Sequence, residues 1–370
     1  MSNQFASLLR KFTDQLASDN ASLSQANFES LQELIIGCGG DEVRSVTGLF
    51  TTLCHELTQY LIKKKQSILG IDLLTRAISK IQSHSSQLTS VHSDLCQLCL
   101  DSKCLRPAIY FLDVEITDIN KEDGHFDVKH LLLYYYYGGL IYAGMKNYDR
   151  ALYFFEAVLT IPATVVSSIV VEAHKKHIIL TLLLYGKLPE AQLPKYISPV
   201  VARHRRQLGL AYLKFANEYP SQNYERLQTT VNKYQQVYER DENMGLIKQC
   251  LAAVHKRNIK RLTRTFLTLS LTDVANHVGL TGEKEAESYI FQMIEEGEIF
   301  ASINQKDGMV VFLDNPEKFN SASVFRQMQQ DMETCMQLNE RLRIMDQEIA
   351  QSPKYLAKLR AEDSNLSALC

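Results

Sequence analysis

Four residues of the types that bind zinc lie close together in the first third of the chain. They are His92, Cys96, Cys99 and Cys104. Imidazole nitrogen and thiolate sulfur are ligands that zinc prefers, and a Cys-x-x-Cys pair is frequent at structural zinc sites. The same stretch has the three- and four-residue apolar spacing of a helix, and free cysteine is among the most buried residue types. We therefore expect buried thiols here, and neither a metal site nor any other cofactor in the chain.

A second pair of potential ligands is His174 and His177, three residues apart in a helical segment. No Glu lies between them and no third ligand is evident. The sequence also contains no phosphate-binding loop and no dinucleotide fingerprint. We expect that the chain is not an enzyme and that it has no catalytic or cofactor-binding residues.

The composition is that of an ordinary soluble protein. The 370 residues are 45% hydrophobic and 22% charged, and the formal net charge is -2. This charge predicts no general attraction to nucleic acid or to anionic membranes. The N-terminus lacks the apolar core of a secretory signal, and no apolar stretch reaches the roughly 20 residues of a membrane span. Eight cysteines without an export signal are expected as reduced thiols, which favours the cytoplasm and nucleus.

The elements that could position a functional surface are clearest in the last third of the chain. A strand is predicted at Phe266–Leu271, helices at Thr272–Val278 and Glu283–Glu296, and a hairpin of two strands after Gly297. This order is that of a winged helix, a module that either binds DNA or joins proteins.

Local signals set the ends of these elements. Thr272 and Thr281 are predicted to cap the two helices, and Gly279 and Gly297 to end them. Asp307–Gly308 is expected to supply the positive-φ positions of a tight hairpin.

The charge on the second helix argues against DNA binding. From Gly282 to Glu298 the sequence carries six Glu and one Lys, whereas a helix in the major groove needs Arg and Lys. Two basic runs lie elsewhere, at Arg203–Arg206 and Lys256–Arg264. The second run lies on a helix with an apolar face, so it is either a solvated surface or a patch for an acidic partner or RNA.

Helical periodicity extends from the N-terminus to about Arg264. The clearest unit follows the tetratricopeptide consensus through Tyr135, Gly139, Tyr142, Ala151 and Phe155. Gly139 and Ala151 are expected to let two antiparallel helices approach closely. Segments of similar length follow, and they are predicted to stack on this unit. They are Val166–Tyr185, Pro199–Tyr219 and Tyr224–Arg240.

A long helix is predicted from Ala322 to Ala350, with an apolar seam along one side. The seam consists of Phe325, Met328, Met332, Cys335, Leu338, Leu342, Met345 and Ile349. Two interpretations remain open: the helix docks back onto its own domain, or it joins a bundle with helices of other chains.

The predicted fold is mostly α: tetratricopeptide-like helical repeats, then a small α+β winged-helix module and a long C-terminal helix. The predicted boundaries are 1–240 for the repeats and 241–320 for the winged-helix region, with the winged helix itself at 265–313. The C-terminal helix is assigned to 321–350 and a tail to 351–370.

This architecture resembles the PCI family, which the proteasome lid, the COP-nine signalosome and a translation initiation factor complex share. The strings YYYYGGLIY, NMGLIKQCL, RLTRTFLTLSL, EEGEIFASINQKDGMVVF and MDQEI are similar to those of the third-subunit family of the signalosome, from about Leu131 to Ile349. The resemblance implies a non-catalytic scaffold of a complex that removes a ubiquitin-like modifier from cullins. The alternative is a PCI scaffold of the proteasome lid or of the initiation factor complex.

The resemblance also implies partners and surfaces. The partners are other PCI subunits, metalloprotease-bearing subunits of the same complex and, through the complex, cullin-RING ligases, with no nucleic acid and no membrane. Winged-helix sheets of this family join edge to edge, which points to Ile299, Phe300, Ala301, Ser302, Ile303, Met309, Val310, Val311 and Phe312. Among these, Ile303, Met309 and Val311 are expected in the core rather than at the interface. C-terminal helices of the family form a bundle, which points to Met328, Met332, Leu338, Leu342, Met345 and Ile349.

Overall fold

A computed structural model describes residues 7–13, 25–120, 126–162, 167–188, 203, 209–221, 223–314, 321–353 and 355–358. The chain divides into two compact units, Met1–Ile259 and Lys260–Cys370. The first contains helices with one two-stranded bridge, and the second contains a three-stranded sheet, two short helices and one long helix. The predicted mostly α class is confirmed.

The helices of the first unit are connected mainly by short turns. In chain order they are α1 (Gln25–Gly37), α2 (Gly40–Ser45), α3 (Thr47–Lys63), α4 (Ile68–Ile81), α5 (Val91–Asp101), α6 (Arg106–Leu112), α7 (Val128–Gly144), α8 (Tyr148–Thr160), α9 (Ser168–Tyr185), α10 (Leu210–Glu218), α11 (Tyr224–Lys233), α12 (Gln235–Arg240) and α13 (Met244–Leu262), which runs past Ile259. Two short strands, β1 (Gln87–Leu88) and β2 (Asp118–Ile119), pair in parallel.

Helices α7 and α8 form the closely packed pair that the tetratricopeptide spacing predicts. A β-carbon on Gly139 would lie 2.8 Å from the ring of Phe155, and one on Gly138 would lie 2.6 Å from the ring of Phe154. Such distances are too short for any side chain, so both positions require glycine. The prediction for Gly139 is confirmed, whereas Gly138, which is equally constrained, was not predicted.

Helix α9 joins two hydrophobic clusters of the first unit. Its Leu180 belongs to the cluster that begins at Leu9, and its Ile179 and Leu182 belong to the cluster that extends to Val254. Because α9 packs on both, its two lysines, Lys175 and Lys176, are also buried. The stability of this part of the first unit therefore depends on the groups that pair with the buried lysines of α9.

The C-terminal end of α9 is fixed by a side chain of α13. Gly186 ends the helix with a φ of +74°, and a β-carbon there would lie 2.4 Å from Nη1 of Arg257. Nη2 of Arg257 donates to the carbonyl oxygen of Leu183 (2.7 Å), and the guanidinium lies 5.6 Å from the ring centroid of Tyr219. A cation at this point also suits the negative end of the helix dipole.

A lysine performs the same function for α1. Nζ of Lys80 donates to the carbonyl oxygens of Ile35, Ile36 and Cys38 at distances of 2.7, 2.6 and 2.8 Å. These carbonyls have no partner further along the helix, so the ammonium group satisfies the end of α1 from α4.

The later repeat units differ from their predicted extents. Helix α9 begins at Ser168, and the predicted start of this segment, Val166, lies outside the described residues. The predicted segment Tyr224–Arg240 is two helices, which meet at Tyr234. Residues 199–202 and 204–208 of the predicted segment Pro199–Tyr219 lie outside the described residues, as do three residues of the basic run Arg203–Arg206.

The second unit contains the winged helix that the sequence predicts. Its elements are β3 (Thr268–Ser270), α14 (Leu271–Val278), α15 (Glu283–Glu295), β4 (Ala301–Asn304), β5 (Met309–Phe312) and α16 (Ala322–Gln351). The strands form an antiparallel sheet in the order β3-β5-β4. Valine and phenylalanine on one face of β5 pack inward, with Val310 and Phe312 buried.

Two of the predicted helix caps are wrong. Ser270, not Thr272, caps α14, since its Oγ accepts from the backbone N–H of Asp273 (3.0 Å). Gly282, not Thr281, precedes α15, and Thr281 instead donates its hydroxyl and its backbone N–H to the carboxylate of Glu285. The stops at Gly279 and Gly297 are confirmed by their φ angles of +76° and +67°.

The turn between β4 and β5 is also longer than predicted. Residues 305–308 connect the strands, and within this turn only Gly308 has a positive φ, of +62°. Asp307 instead accepts from the side-chain amide of Asn304 (2.7 Å). A four-residue connection needs one left-handed residue where a two-residue turn would need two.

We predict that Gly138→Ala destabilises the first unit by about 1–3 kcal/mol, because its methyl group meets the Phe154 ring. Gly245→Ala is the matched control: it lies in α13, and a β-carbon there has no neighbour within 4 Å. The control should be neutral or stabilising by up to about 1 kcal/mol, since alanine is the better helix former. Urea unfolding of both variants measures the difference, and equal effects would contradict the close approach.

Candidate assembly surfaces

The sheet of the second unit has two edges, and β5 is not one of them. The backbone N–H of Phe312 donates to Leu267 on one side (2.8 Å), and the N–H of Leu313 donates to Phe300 on the other (2.8 Å). The assignment of Met309–Phe312 to a sheet edge is therefore wrong, because β5 is paired on both sides. The edges are β3 and β4.

The hydrogen-bond alternation shows which groups of β4 point outward. Phe300 and Leu313 form a hydrogen-bonded pair, so Ser302 and Val311 form the next one. Ala301 and Ile303 lie between these pairs, and their backbone N–H and C=O groups point away from β5. An added strand could pair with these groups.

The side chains of the sheet alternate differently from the prediction. Ile299, Val310 and Phe312 are buried, while Ile303 and Met309 are half-buried. Val311, which was expected in the core, is 38% exposed because it faces the other side of β5 from Val310. The predicted core face was thus out of phase by one residue on β5.

Among the large apolar side chains of residues 260–314, three are more than half exposed, and none of the three was predicted. Leu267 is 78% exposed, Leu313 is 58% exposed and Phe291 is 56% exposed. Leu267 precedes β3 and follows Phe266, which is itself exposed, whereas Leu313 follows the buried Phe312 and so breaks the apolar alternation of β5. That break in the alternation was the available signal.

Helix α15 presents an acidic surface. Glu283 and Glu295 are exposed, and Glu287 accepts from the side-chain amide of Gln305 (2.5 Å). Lys284 is the single basic residue of the helix. This charge opposes a DNA backbone, as the sequence predicts.

Helix α16 buries none of its side chains. The predicted seam lies along it, with Met332 and Leu342 each 65% exposed and Met345 55% exposed. Met336 and Ile344 are also exposed, at 70% and 47%. Of the two interpretations of the seam, docking onto the rest of the second unit does not occur in the described residues, and the bundle stays a prediction.

The basic run on α13 is not a uniform surface. Lys260, Arg261 and Arg264 are exposed, whereas Arg257 is half-buried and holds the end of α9. The assignment of Arg257 to the solvated face is wrong, because its guanidinium donates a hydrogen bond to the carbonyl oxygen of Leu183.

The stretch His174–His177 lies inside the first unit and belongs to a buried ionic network. Lys175 Nζ lies 2.6 Å from Glu172 and 2.7 Å from Asp241, and Tyr212 also donates to Asp241 (3.0 Å). Burial alone would lower the pKa of Lys175, but its hydrogen bonds to Asp241 and Glu172 hold it above its ordinary value. No local sequence pattern indicates this network, because Asp241 lies 66 residues from Lys175.

Beside this network lies a cavity of about 440 Å³, lined in part by Lys176, Asn243 and Leu246. Nζ of Lys176 donates to Oδ1 of Asn243 (2.7 Å), and burial lowers the pKa of this lysine. Three acidic and two basic side chains are among the residues that line the cavity, so its lining has charges of both signs.

Of the cysteines predicted to be buried, Cys104 is only half-buried, so that part of the prediction is wrong. The other two lie in the core. Cys96 and Cys99 are buried on α5, and burial raises the pKa of the Cys99 thiol to about 11. Burial also lowers the pKa of His92 to about 4. Thiols that stay protonated at neutral pH are poor nucleophiles. Their predicted role as packing residues is confirmed.

Among the described residues, no helix is both long enough and apolar enough to span a membrane.

Two family models match different parts of the chain. The family model described as COP9 signalosome complex subunit 3, N-terminal helical repeats, matches residues 2–201, and the model described as PCI domain matches residues 231–314. The chain is 40% identical over 369 residues to COP9 signalosome complex subunit 3 of Drosophila melanogaster, which covers 94% of this chain and 82% of that protein. It is 35% identical over 324 residues to COP9 signalosome complex subunit 3 of Dictyostelium discoideum, which covers 87% and 77%. The similarity therefore includes the N-terminal repeats, beyond the stretch on which the sequence resemblance was based.

We predict that Lys175→Met destabilises the first unit by about 3–5 kcal/mol, since it leaves Glu172 and Asp241 without their shared cation. Arg76→Met is the control, because it removes an ion pair with Asp72 whose side chains are 51% and 69% exposed. That exposed pair should contribute about 0–1 kcal/mol. Thermal and urea unfolding measure the free energy of unfolding of both variants. A similar small decrease in both would show that the buried network does not stabilise the fold.

Proposed function

Because the chain belongs to the family of COP9 signalosome complex subunit 3, we propose that it is a scaffold subunit of that complex. In this role it holds other PCI subunits and the metalloprotease-bearing subunits in one assembly, and it performs no catalysis itself. The assembly removes the ubiquitin-like modifier from cullins (deneddylation) and thereby regulates cullin-RING ubiquitin ligases. We place the protein in the cytoplasm and nucleus, where those ligases act.

The observation that carries this proposal is the exposed seam of α16. The helix has 30 residues and buries none of them, although its apolar residues repeat every three or four positions. Exposed apolar surface of this length marks a protein-binding site, and the spacing suits a bundle of parallel or antiparallel helices. The bundle residues are Met328, Met332, Leu338, Leu342, Met345 and Ile349.

The edge strand β4 supports a second contact of the scaffold. Its outward backbone groups at Ala301 and Ile303 can pair with a strand of a neighbouring PCI subunit. Exposed apolar side chains on the same unit, such as Leu313, could be covered in such a contact. The sheet interface proposed here is therefore Ile299–Ile303, with β5 contributing side chains and not backbone.

The alternative is a PCI scaffold of the proteasome lid or of a translation initiation factor complex. The PCI match at residues 231–314 fits that alternative equally well. The match of the N-terminal repeats and the names of both relatives favour the COP9 signalosome. Binding of nucleic acid through Lys256–Arg264 is the weakest candidate, because Arg257 is engaged within the fold.

We predict that Leu342→Glu with Met345→Glu removes the protein from its complex and leaves both units folded, since neither side chain packs within the chain. The tagged variant is purified from its native cells, co-purifying subunits are identified by mass spectrometry, and deneddylation of cullin is assayed in the eluate. The metalloprotease subunit and the deneddylation activity should co-purify with the wild type, and neither should co-purify with the variant.

The control for this experiment is Gln330→Glu with Gln347→Glu, which adds the same charge on the side of α16 that faces away from the nearest seam residues. It should co-purify like the wild type. Recovery of proteasome or initiation-factor subunits with the wild type would overturn the signalosome assignment, and undiminished recovery with Leu342→Glu and Met345→Glu would overturn the bundle.

We predict that Ala301→Pro weakens assembly without unfolding the sheet, because proline removes an N–H that points to the open edge. The control is Ser302→Pro at the next position of β4. This substitution removes an N–H that faces Val311 within the sheet. Ser302→Pro should destabilise the second unit by about 3 kcal/mol. Thermal unfolding and co-purification are measured for both, and normal assembly of Ala301→Pro would exclude strand addition at β4.

A further inference from the structure

Three potential metal ligands meet in the first unit, outside every group that the sequence singled out. They are His55 on α3, Asp94 on α5 and His130 on α7. One ligand atom from each lies within 4.8 Å of the other two. We propose that these residues bind a divalent transition-metal ion, with zinc as the physiological ion.

The carboxylate of Asp94 is at the centre of the cluster. Its side chain is 11% exposed, and its Oδ2 is hydrogen-bonded to Nδ1 of His55. A carboxylate this deeply buried needs a positive partner. A metal ion bound between Asp94 and the two histidines would supply that positive charge.

A second contact fixes the proton on His130. Ser93 Oγ donates to the carbonyl oxygen of Ser90 (2.7 Å), so it accepts from Nδ1 of His130 (3.1 Å). This arrangement places the proton on Nδ1 and the lone pair on Nε2, the nitrogen that can bind a metal. Hydrogen bonds of this kind orient the histidines of known metal sites.

The two imidazole rings are stacked, with centroids 4.6 Å apart and planes at 14°. A shared ion must lie near the plane of each ring, so one ring has to turn about its Cβ–Cγ bond. His55 is the ring with room to do so, because its side chain is 22% exposed. The same exposure provides the route by which an ion enters.

The donor set determines the class of ion. Two imidazole nitrogens and one carboxylate oxygen suit zinc, copper, iron and nickel, whereas magnesium and calcium prefer oxygen ligands alone. Three protein ligands leave a position for water or for a side chain of a partner. Since the ligands come from three helices, the ion would join α3, α5 and α7 and stabilise the repeat array against unfolding.

The test is a titration of the full chain, first treated with a chelator, with Zn²⁺ in the presence of a competing indicator and with Co²⁺ followed by visible absorption. We expect one saturable site, a rise in the unfolding temperature on addition of Zn²⁺, and cobalt bands without a thiolate charge-transfer band. His55→Asn with His130→Asn should weaken binding at least tenfold and abolish the rise in unfolding temperature.

His84→Asn is the matched control, because it removes an exposed imidazole outside the cluster, and it should bind like the wild type. The absence of saturable binding would overturn the proposal, as would equal binding by the double variant. A thiolate band in the wild-type cobalt spectrum would assign the ion to cysteines and would overturn the proposal even if the double variant failed to fold.

Discussion

The approach of α8 to α7 is the constraint on which the repeat array depends. The rings of Phe154 and Phe155 occupy the space that β-carbons of Gly138 and Gly139 would fill. With the two helices held at this distance, α5 packs on one side of the pair and α9 on the other, and the main hydrophobic cluster becomes continuous. A wider separation at the two glycines would displace both neighbours, because a close-packed interior transmits a local displacement.

The two units differ in how much apolar surface they leave exposed. The first unit buries even the lysines of α9 and satisfies the ends of α1 and α9 with Lys80 and Arg257. The second unit leaves an edge strand, several large apolar side chains and all of α16 exposed. Burial within the chain thus stabilises the repeats, and the surfaces that remain open are concentrated in the second unit. This distribution is the one that a scaffold requires, since its contacts must be available to other chains.

The sequence predicted what depends on local pattern and missed what depends on distant contacts. The helical class, Gly139, the stops at Gly279 and Gly297 and the start of α16 at Ala322 follow from spacing and from the left-handed preference of glycine. The central position of β5 in the sheet could not be predicted, because the residues of one strand do not show which other strands pair with it. The cap at Ser270 and the turn at residues 305–308 lie within a few residues of their predicted positions. Neighbouring polar residues compete for the same backbone hydrogen bonds, so the sequence alone did not identify which residue forms them. The network around Lys175 and the cluster around Asp94 join residues from separate helices, so no window of sequence contains them.

The full exposure of α16 has a consequence for how the cell handles this protein. A chain without its partners presents a continuous row of methionine and leucine side chains to the solvent. Chaperones and the proteases that clear unassembled subunits recognise exposed apolar segments of this kind, and a partner bundle would conceal them. If partner helices cover this row, the unassembled protein exposes more apolar surface to those proteases than the assembled one does. The helix that would hold the assembly together would then also link the amount of this protein to the amount of its partner subunits.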